Sequence, residues 1–138
     1  MRLAGYASIF DAPDAGGDVV RRGAFADVPA RVPLLWQHAV DEPIGFVETL
    51  IEDARGLRVV ARITDTRRGG DAAALLRAGA LDGLSFGYRV RTSRPARVGS
   101  GGFRELTGLD LLEVSLVTFP MQRAARVIAF AETQGETA

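Results

Sequence analysis

A mainly β fold with at least one helix, closed into a barrel, is what this sequence predicts, on three observations. Leu57, Val59, Ala61 and Ile63 share one face, while Arg58, Arg62 and Thr64 mark the other, the period of two of a half-buried strand. Several other short apolar segments are separated by clusters of Gly, Pro and Asp, the residues that make turns. One stretch alone, Asp71 to Ala78, is rich in helix formers. With 138 residues, the chain is long enough for one domain that buries about two-thirds of its unfolded surface without staples.

The elements follow in order. Leu3 to Phe10 reads as a strand that ends in the turn-rich DAPDAGGD. After Val19 and Val20, the run GAFADV is expected to begin a short helix at Ala24, broken by Pro29 and Pro33. Leu34, Leu35 and Trp36 form an apolar triplet that leads into Gln37 and His38; AVDEP is expected to turn, and IGFVETLIED to resume as a strand. Gly56 suggests a hairpin into the Leu57 strand. Asp71 is expected to cap the helix and Gly79 to end it. A strand from Leu84 to Val90 runs into RTSRPARVGSGG, a mobile excursion by its Gly, Ser and Pro content. Leu109 to Phe119 is a long apolar strand closed by Pro120, and Arg126 to Phe130 a last one. The expected domain covers residues 1–130, with 131–138 a polar, disordered tail.

Composition narrows the chemistry. There is no cysteine, so disulfides, thiolate metal sites and a cysteine nucleophile are excluded. A single histidine, His38, excludes a multi-histidine metal cage, and no cofactor motif is present. All 17 basic residues are arginine, which removes lysine as a base and reads as codon bias rather than chemistry. The 17 acidic residues bring the net charge to zero, against the basic surplus of nucleic-acid binders. No apolar run reaches membrane-spanning length and MRLAGYASIF lacks a signal-peptide layout, so a soluble cytoplasmic domain is expected.

Three residues stand out as candidates. His38 ends an apolar run; a lone histidine there is either a hydrogen-bonded strand end or a general base on a barrel rim. Ser85, in DGLSFGYRV, is a strand serine or a nucleophile, with Gly83 and Gly87 leaving room for a substrate backbone. Glu113 shares a face with Leu109, Leu111 and Ser115, where a carboxylate needs a partner. An arginine partner would make it structural, an imidazole partner would make it the orienting member of a triad. Ser115 competes with Ser85 as nucleophile, and Asp110 falls on the other face.

Four stretches, in order, resemble the tailed-phage prohead proteases, serine peptidases that mature capsids. They are GYASIFDAPDAGGDVVRRGAF, LLWQHAVDEPIG around His38, GALDGLSFGYRV around Ser85, and LLEVSLVTFPMQRAARV around Glu113, together spanning residues 4–128. The resemblance implies a fold similar to the herpesvirus capsid protease, a β-barrel flanked by helices. It implies His38 as general base, Ser85 as nucleophile and Glu113 as the group that orients the imidazole, with Ser115 in a supporting place. In the herpesvirus enzymes the third member is a second histidine, which this chain lacks, so either Glu113 fills that role or nothing does. By the same resemblance, Arg123 in the segment Met121 to Ala125 is the oxyanion-hole candidate. The implied substrates are N-terminal capsid-protein or scaffold segments, and the protease's own chain, inside the procapsid of a phage, prophage or gene transfer particle in the bacterial cytoplasm. The herpesvirus relatives are dimeric, which raises the question of a homodimer here. Family members commonly continue well past the acidic motif, and this sequence ends soon after it.

Two other classes compete. One is a non-catalytic protease-fold scaffold or assembly factor, against which all three candidates are present. The other is a nucleic-acid-binding barrel using Arg89, Arg91, Arg94, Arg97 and Arg104, against which no aromatics are interleaved to stack bases.

Overall fold

The computed structural model describes residues 1–98 and 101–132. Its strands are β1 (Arg2–Ile9), β2 (Asp18–Val20), β3 (Val32–Trp36), β4 (Ala39–Glu52), β5 (Gly56–Ile63), β6 (Gly83–Val98), β7 (Gly101–Val117) and β8 (Val127–Ala131). Among the described residues there is one helix, α1 (Arg67–Arg77), where flanking helices in the plural were expected.

All strands belong to one sheet, in the order β2-β7-β3-β4-β5-β1-β8, with β6 also paired to β7. The long β7 is the spine: its outer part runs parallel to β2, with Val20 opposite Leu106, and its inner part parallel to β3, with Leu35 opposite Ser115. On the other side β6 lies antiparallel, with Ser85 opposite Ser115 and Gly87 opposite Glu113. The sheet curls until its ends meet. Gly83 bridges Arg126, the Leu84 N–H donates to the Ala125 carbonyl at 2.9 Å, and the Val127 N–H to Asp82 at 2.8 Å. The interior is one apolar cluster, with Leu57, Val59, Ala61 and Ile63 all on the buried face, as their period requires.

Four local expectations change. The helix starts at Arg67, four residues before Asp71, and Thr66 is its cap, accepting the Gly69 N–H at 2.9 Å. Its end is as expected: Gly79 (φ +72°) and Ala80 donate back to Leu76 and Leu75, closing a Schellman motif. GAFADV forms no helix but a chain of turns, pinned where the Glu52 carboxylate accepts the N–H groups of Gly23 and Phe25 at 2.7 and 2.8 Å. AVDEP opens strand β4 instead of turning; the turn is Gln37–His38. Of the excursion expected at 91–102, residues 91–98 and 101–102 continue the paired strands β6 and β7, and residues 99–100 lie outside the described residues. Ion pairs stitch that arm: Glu105 with Arg21 and Arg94, Asp18 with Arg104, and Asp27 with Arg91. The tail expected from 131 lies, from residue 133 on, outside the described residues; Ala131 completes β8 and Glu132 pairs with Arg77.

Candidate active site

The hairpin between β3 and β4 is as short as a hairpin can be. Trp36 pairs with Ala39, and the two residues between, Gln37 and His38, have φ of +52° and +61°. This is the left-handed geometry of a type I′ turn, which normally takes Asn-Gly; for residues with a Cβ it costs on the order of 1 kcal/mol each. The cost is offset by a grip from β7. The Gln37 N–H donates to the Leu116 carbonyl at 2.9 Å. The Gln37 amide side chain donates to Thr118 Oγ1 at 2.7 Å and accepts the Thr118 N–H at 3.0 Å. The His38 N–H donates to Ser115 Oγ at 3.1 Å.

That turn aims the imidazole at Glu113. His38 Nδ1 lies 2.6 Å from Glu113 Oε1. A carboxylate only accepts, so the proton of this bond sits on Nδ1 and the lone pair on Nε2. The hydrogen bond to Glu113 raises the His38 pKa above its ordinary value, outweighing the burial that lowers it. The other carboxylate oxygen, Oε2, accepts the Ser115 hydroxyl proton at 2.6 Å. Glu113 is buried, and the ring it pairs with is the imidazole; no arginine bonds to it among the described residues.

Gly87 faces Glu113 across the β6–β7 ladder. A Cβ there would stand 2.6 Å from Glu113 Oε1, so the space above Gly87 is where the carboxylate sits. Ser85, two residues earlier on the same face, lies directly opposite Ser115. Among the described residues the hydrogen bonds of the site join His38, Glu113 and Ser115, and none joins Ser85 Oγ to the imidazole. Ser115 is wholly buried, and its hydroxyl donates to Glu113.

Ser85 also lines a cavity of about 30 Å³ together with Ala7, Ser8, Ala12, Met121 and Gln122. The Ser8 hydroxyl there is buried without a hydrogen-bond partner among the described residues. Tyr88 lies at the same cavity and donates to Asp18 at 3.2 Å; burial, with Asp18 beside it, pushes its pKa up to about 12. Gln122 ties the Met121–Ala125 segment to β1, accepting the Ile9 N–H at 2.7 Å and donating to the carbonyls of Ile9 and Ala12. Arg123 is exposed; its carbonyl accepts from Arg126 at 2.8 Å, and its guanidinium has no partner among the described residues. No three His, Asp or Glu side chains among the described residues gather to hold a metal ion, and no helix is long and apolar enough to cross a membrane.

Sequence reasoning missed Gln37, Ser8 and Gln122. Nothing in their local pattern marks them, because each acts on a segment distant in the chain.

The chain is 31% identical over 138 residues to the prohead protease of Enterobacteria phage HK97, covering 95% of this chain and 60% of that protein. It is 32% identical over 123 residues to the capsid polyprotein of Pseudomonas phage PAJU2, covering 83% of this chain and 18% of the relative. It thus spans less than two-thirds of the length of either relative. Among solved structures, KSHV protease in complex with a hexapeptide phosphonate inhibitor superposes with a TM-score of 0.60 at 15% identity, covering 92% of this chain and 63% of the other. The bacteriophage T4 capsid assembly protease gp21 gives 0.60 at 12%, covering 83% and 79%. These two likenesses establish a shared fold, the curled β architecture of the herpesvirus proteases. Over residues 1–138 the sequence matches the caudovirus prohead serine proteases, and the chain belongs to that family.

Proposed function

We propose that the chain is a serine endopeptidase of prohead maturation that uses Ser85, His38 and Glu113 as a triad. The observation that carries this reading is the 2.6 Å contact between His38 Nδ1 and Glu113, on the face that also presents Ser85. Family membership and the prohead protease of phage HK97 support it.

In this reading His38 Nε2, the free lone pair, takes the Ser85 proton as the oxygen attacks a peptide carbonyl. Glu113 holds the tautomer and stabilises the imidazolium that forms. The imidazolium then protonates the leaving amine, an acyl-enzyme remains on Ser85, and water releases it by the same base. A catalytic serine–histidine bond that is open in the free enzyme and closes on substrate is common in such sites. Arg123, with an uncommitted guanidinium next to the cavity-lining Gln122, is the donor proposed for the oxyanion. The cavity beside Ser85, lined in part by Ala7, Ser8 and Ala12, is the place proposed for a small substrate side chain.

The substrates proposed are N-terminal capsid-protein or scaffold segments inside the assembling procapsid. The relative named capsid polyprotein supports a link to capsid protein. A homodimer is part of the proposal only by analogy with the herpesvirus fold. The direct test is labelling with a fluorophosphonate reagent, read by intact mass. One adduct on the parent chain, lost in Ser85→Ala and in His38→Ala, is the expected result. A chain that takes no adduct, or takes it equally in Ser85→Ala, would overturn the assignment.

A further inference from the structure

We propose that Ser115 is a positioning residue that locks the carboxylate of Glu113 and the turn carrying His38 into one rigid unit. The inference rests on the reading of Ser85, His38 and Glu113 as the reacting set, and goes beyond it by assigning a fourth residue that touches no substrate.

A serine hydroxyl has one proton to give and lone pairs to receive with. In this site both are committed. The proton goes to Glu113 Oε2 at 2.6 Å, and the oxygen receives the His38 backbone N–H at 3.1 Å. The two bonds determine each other. Because the His38 N–H approaches the oxygen from one side, the hydroxyl proton is turned to the other, toward the carboxylate. With Oε2 held in this way, Oε1 is left facing Nδ1 at 2.6 Å. Both oxygens of Glu113 are thus occupied, and the loop of contacts from His38 backbone to Ser115 to Glu113 to His38 ring closes on itself.

The surroundings fit that role. Ser115 is fully buried, so no water competes for its hydroxyl. Gly87 leaves the carboxylate its space on the opposite strand, and a side chain there would push against the oxygen that faces Nδ1. His38 sits at a φ of +61°, a conformation it holds only under external restraint, and Ser115 supplies one of those restraints directly. Without the hydroxyl, Glu113 regains a free torsion and His38 loses a backbone tether, so the Nδ1–Oε1 contact is populated less of the time. Ser115 lies opposite Ser85 in the ladder, so the same residue registers the acid–imidazole pair against the strand of the nucleophile.

The experiment uses the chain with Ser115→Ala, Ser115→Thr and Glu113→Gln, alone and combined. It reads the second-order rate of fluorophosphonate labelling against pH and the titration of the imidazole by NMR. His38 is the only histidine, so that signal is unambiguous. Ser115→Ala is expected to slow labelling about 10- to 100-fold, the size of a lost buried hydrogen bond to a charged group. The imidazole titration is expected to move down toward the ordinary histidine range, and Ser115→Thr, which keeps a hydroxyl, to recover part of both. In the Glu113→Gln background, Ser115→Ala should cost less than about threefold more, because the two act through one contact. Where Ser115→Ala does not fold, Ser115→Cys, close in size but a weak donor, carries the same comparison. Labelling within twofold of the parent with an unmoved titration, or an undiminished cost in the Glu113→Gln background, would overturn the proposal. If the parent takes no label, the protease reading fails, and the imidazole titration alone decides on Ser115.

Discussion

Replacing Gly87 with alanine adds one carbon at the point where the site has no room for it. The added Cβ would stand 2.6 Å from Glu113 Oε1, 3.1 Å from Cγ and 3.2 Å from Cδ, whereas ordinary contacts begin near 3.4 Å. Relief requires the carboxylate to retreat by roughly 0.8 Å, because Gly87 and its ladder partner are fixed in the sheet. The imidazole bond spans 2.6 Å, and a hydrogen bond beyond about 3.2 Å is largely lost, so the retreat breaks it or forces His38 to follow. His38 cannot follow freely, since its turn is tethered to Leu116, Ser115 and Thr118. The expected stability cost is that of overpacking, about 1–3 kcal/mol. Function suffers more: losing the oriented tautomer is expected to slow fluorophosphonate labelling by about two to four orders of magnitude. The assay pairs that rate with the NMR titration of His38, which should fall toward the ordinary range, and with urea unfolding. A Gly87→Ala chain that labels like the parent and keeps the raised His38 titration would refute the geometry argued for Glu113.

Four further expectations follow. Because Glu113 raises the His38 pKa, the labelling rate should climb with pH through an inflection above about 6.5, where the imidazole becomes a free base. The linked stability runs the other way: it is fully present below the unfolded histidine value near 6.5 and is lost as pH rises through the folded one. The difference in melting temperature between the parent and Glu113→Gln should therefore shrink from pH 6 to pH 9; a difference that grows would contradict the pairing. Gln37→Ala removes both bonds to Thr118 while leaving a left-handed residue in place, so urea unfolding should report a loss of about 1–2 kcal/mol, and an unchanged midpoint would show that the grip is dispensable. Arg123→Ala should slow peptide cleavage by about two orders of magnitude with little change in melting temperature, since its side chain is exposed; wild-type cleavage would remove it from the oxyanion site.

Much of the fold was legible because its signals are local. Leu57 to Ile63 keeps a strict period of two, since one face meets the core and the other does not. Gly79 marks the helix end, since only there does the chain need φ +72°. The helix start was hidden by Gly69 and Gly70, which weaken the propensity pattern, although Gly69 is required where a Cβ would meet the Thr66 hydroxyl at 2.9 Å. The β6–β7 arm was read as a loop because its residues from Arg91 to Pro95 are exposed on both faces, so no apolar alternation develops, and the arm is held by cross-strand pairing and ion pairs. The site divides in the same way. His38, Ser85 and Glu113 were identified by short motifs that resemble a family, whereas the tasks of Gly87 and Ser115 exist only once β6 and β7 are in register. Gln37 illustrates the limit: a Gln-His pair carries no type I′ signature, and the turn is left-handed because β7 holds it so.

The central claim is that Ser85 is the nucleophile of a capsid-processing protease. The measurement that tests it most directly is the intact mass of the cognate capsid protein co-expressed with the parent chain and with Ser85→Ala. Capsid protein shortened at its N-terminus by the parent and left whole by the variant is the predicted result. Equal shortening by both, or none by the parent, would contradict it.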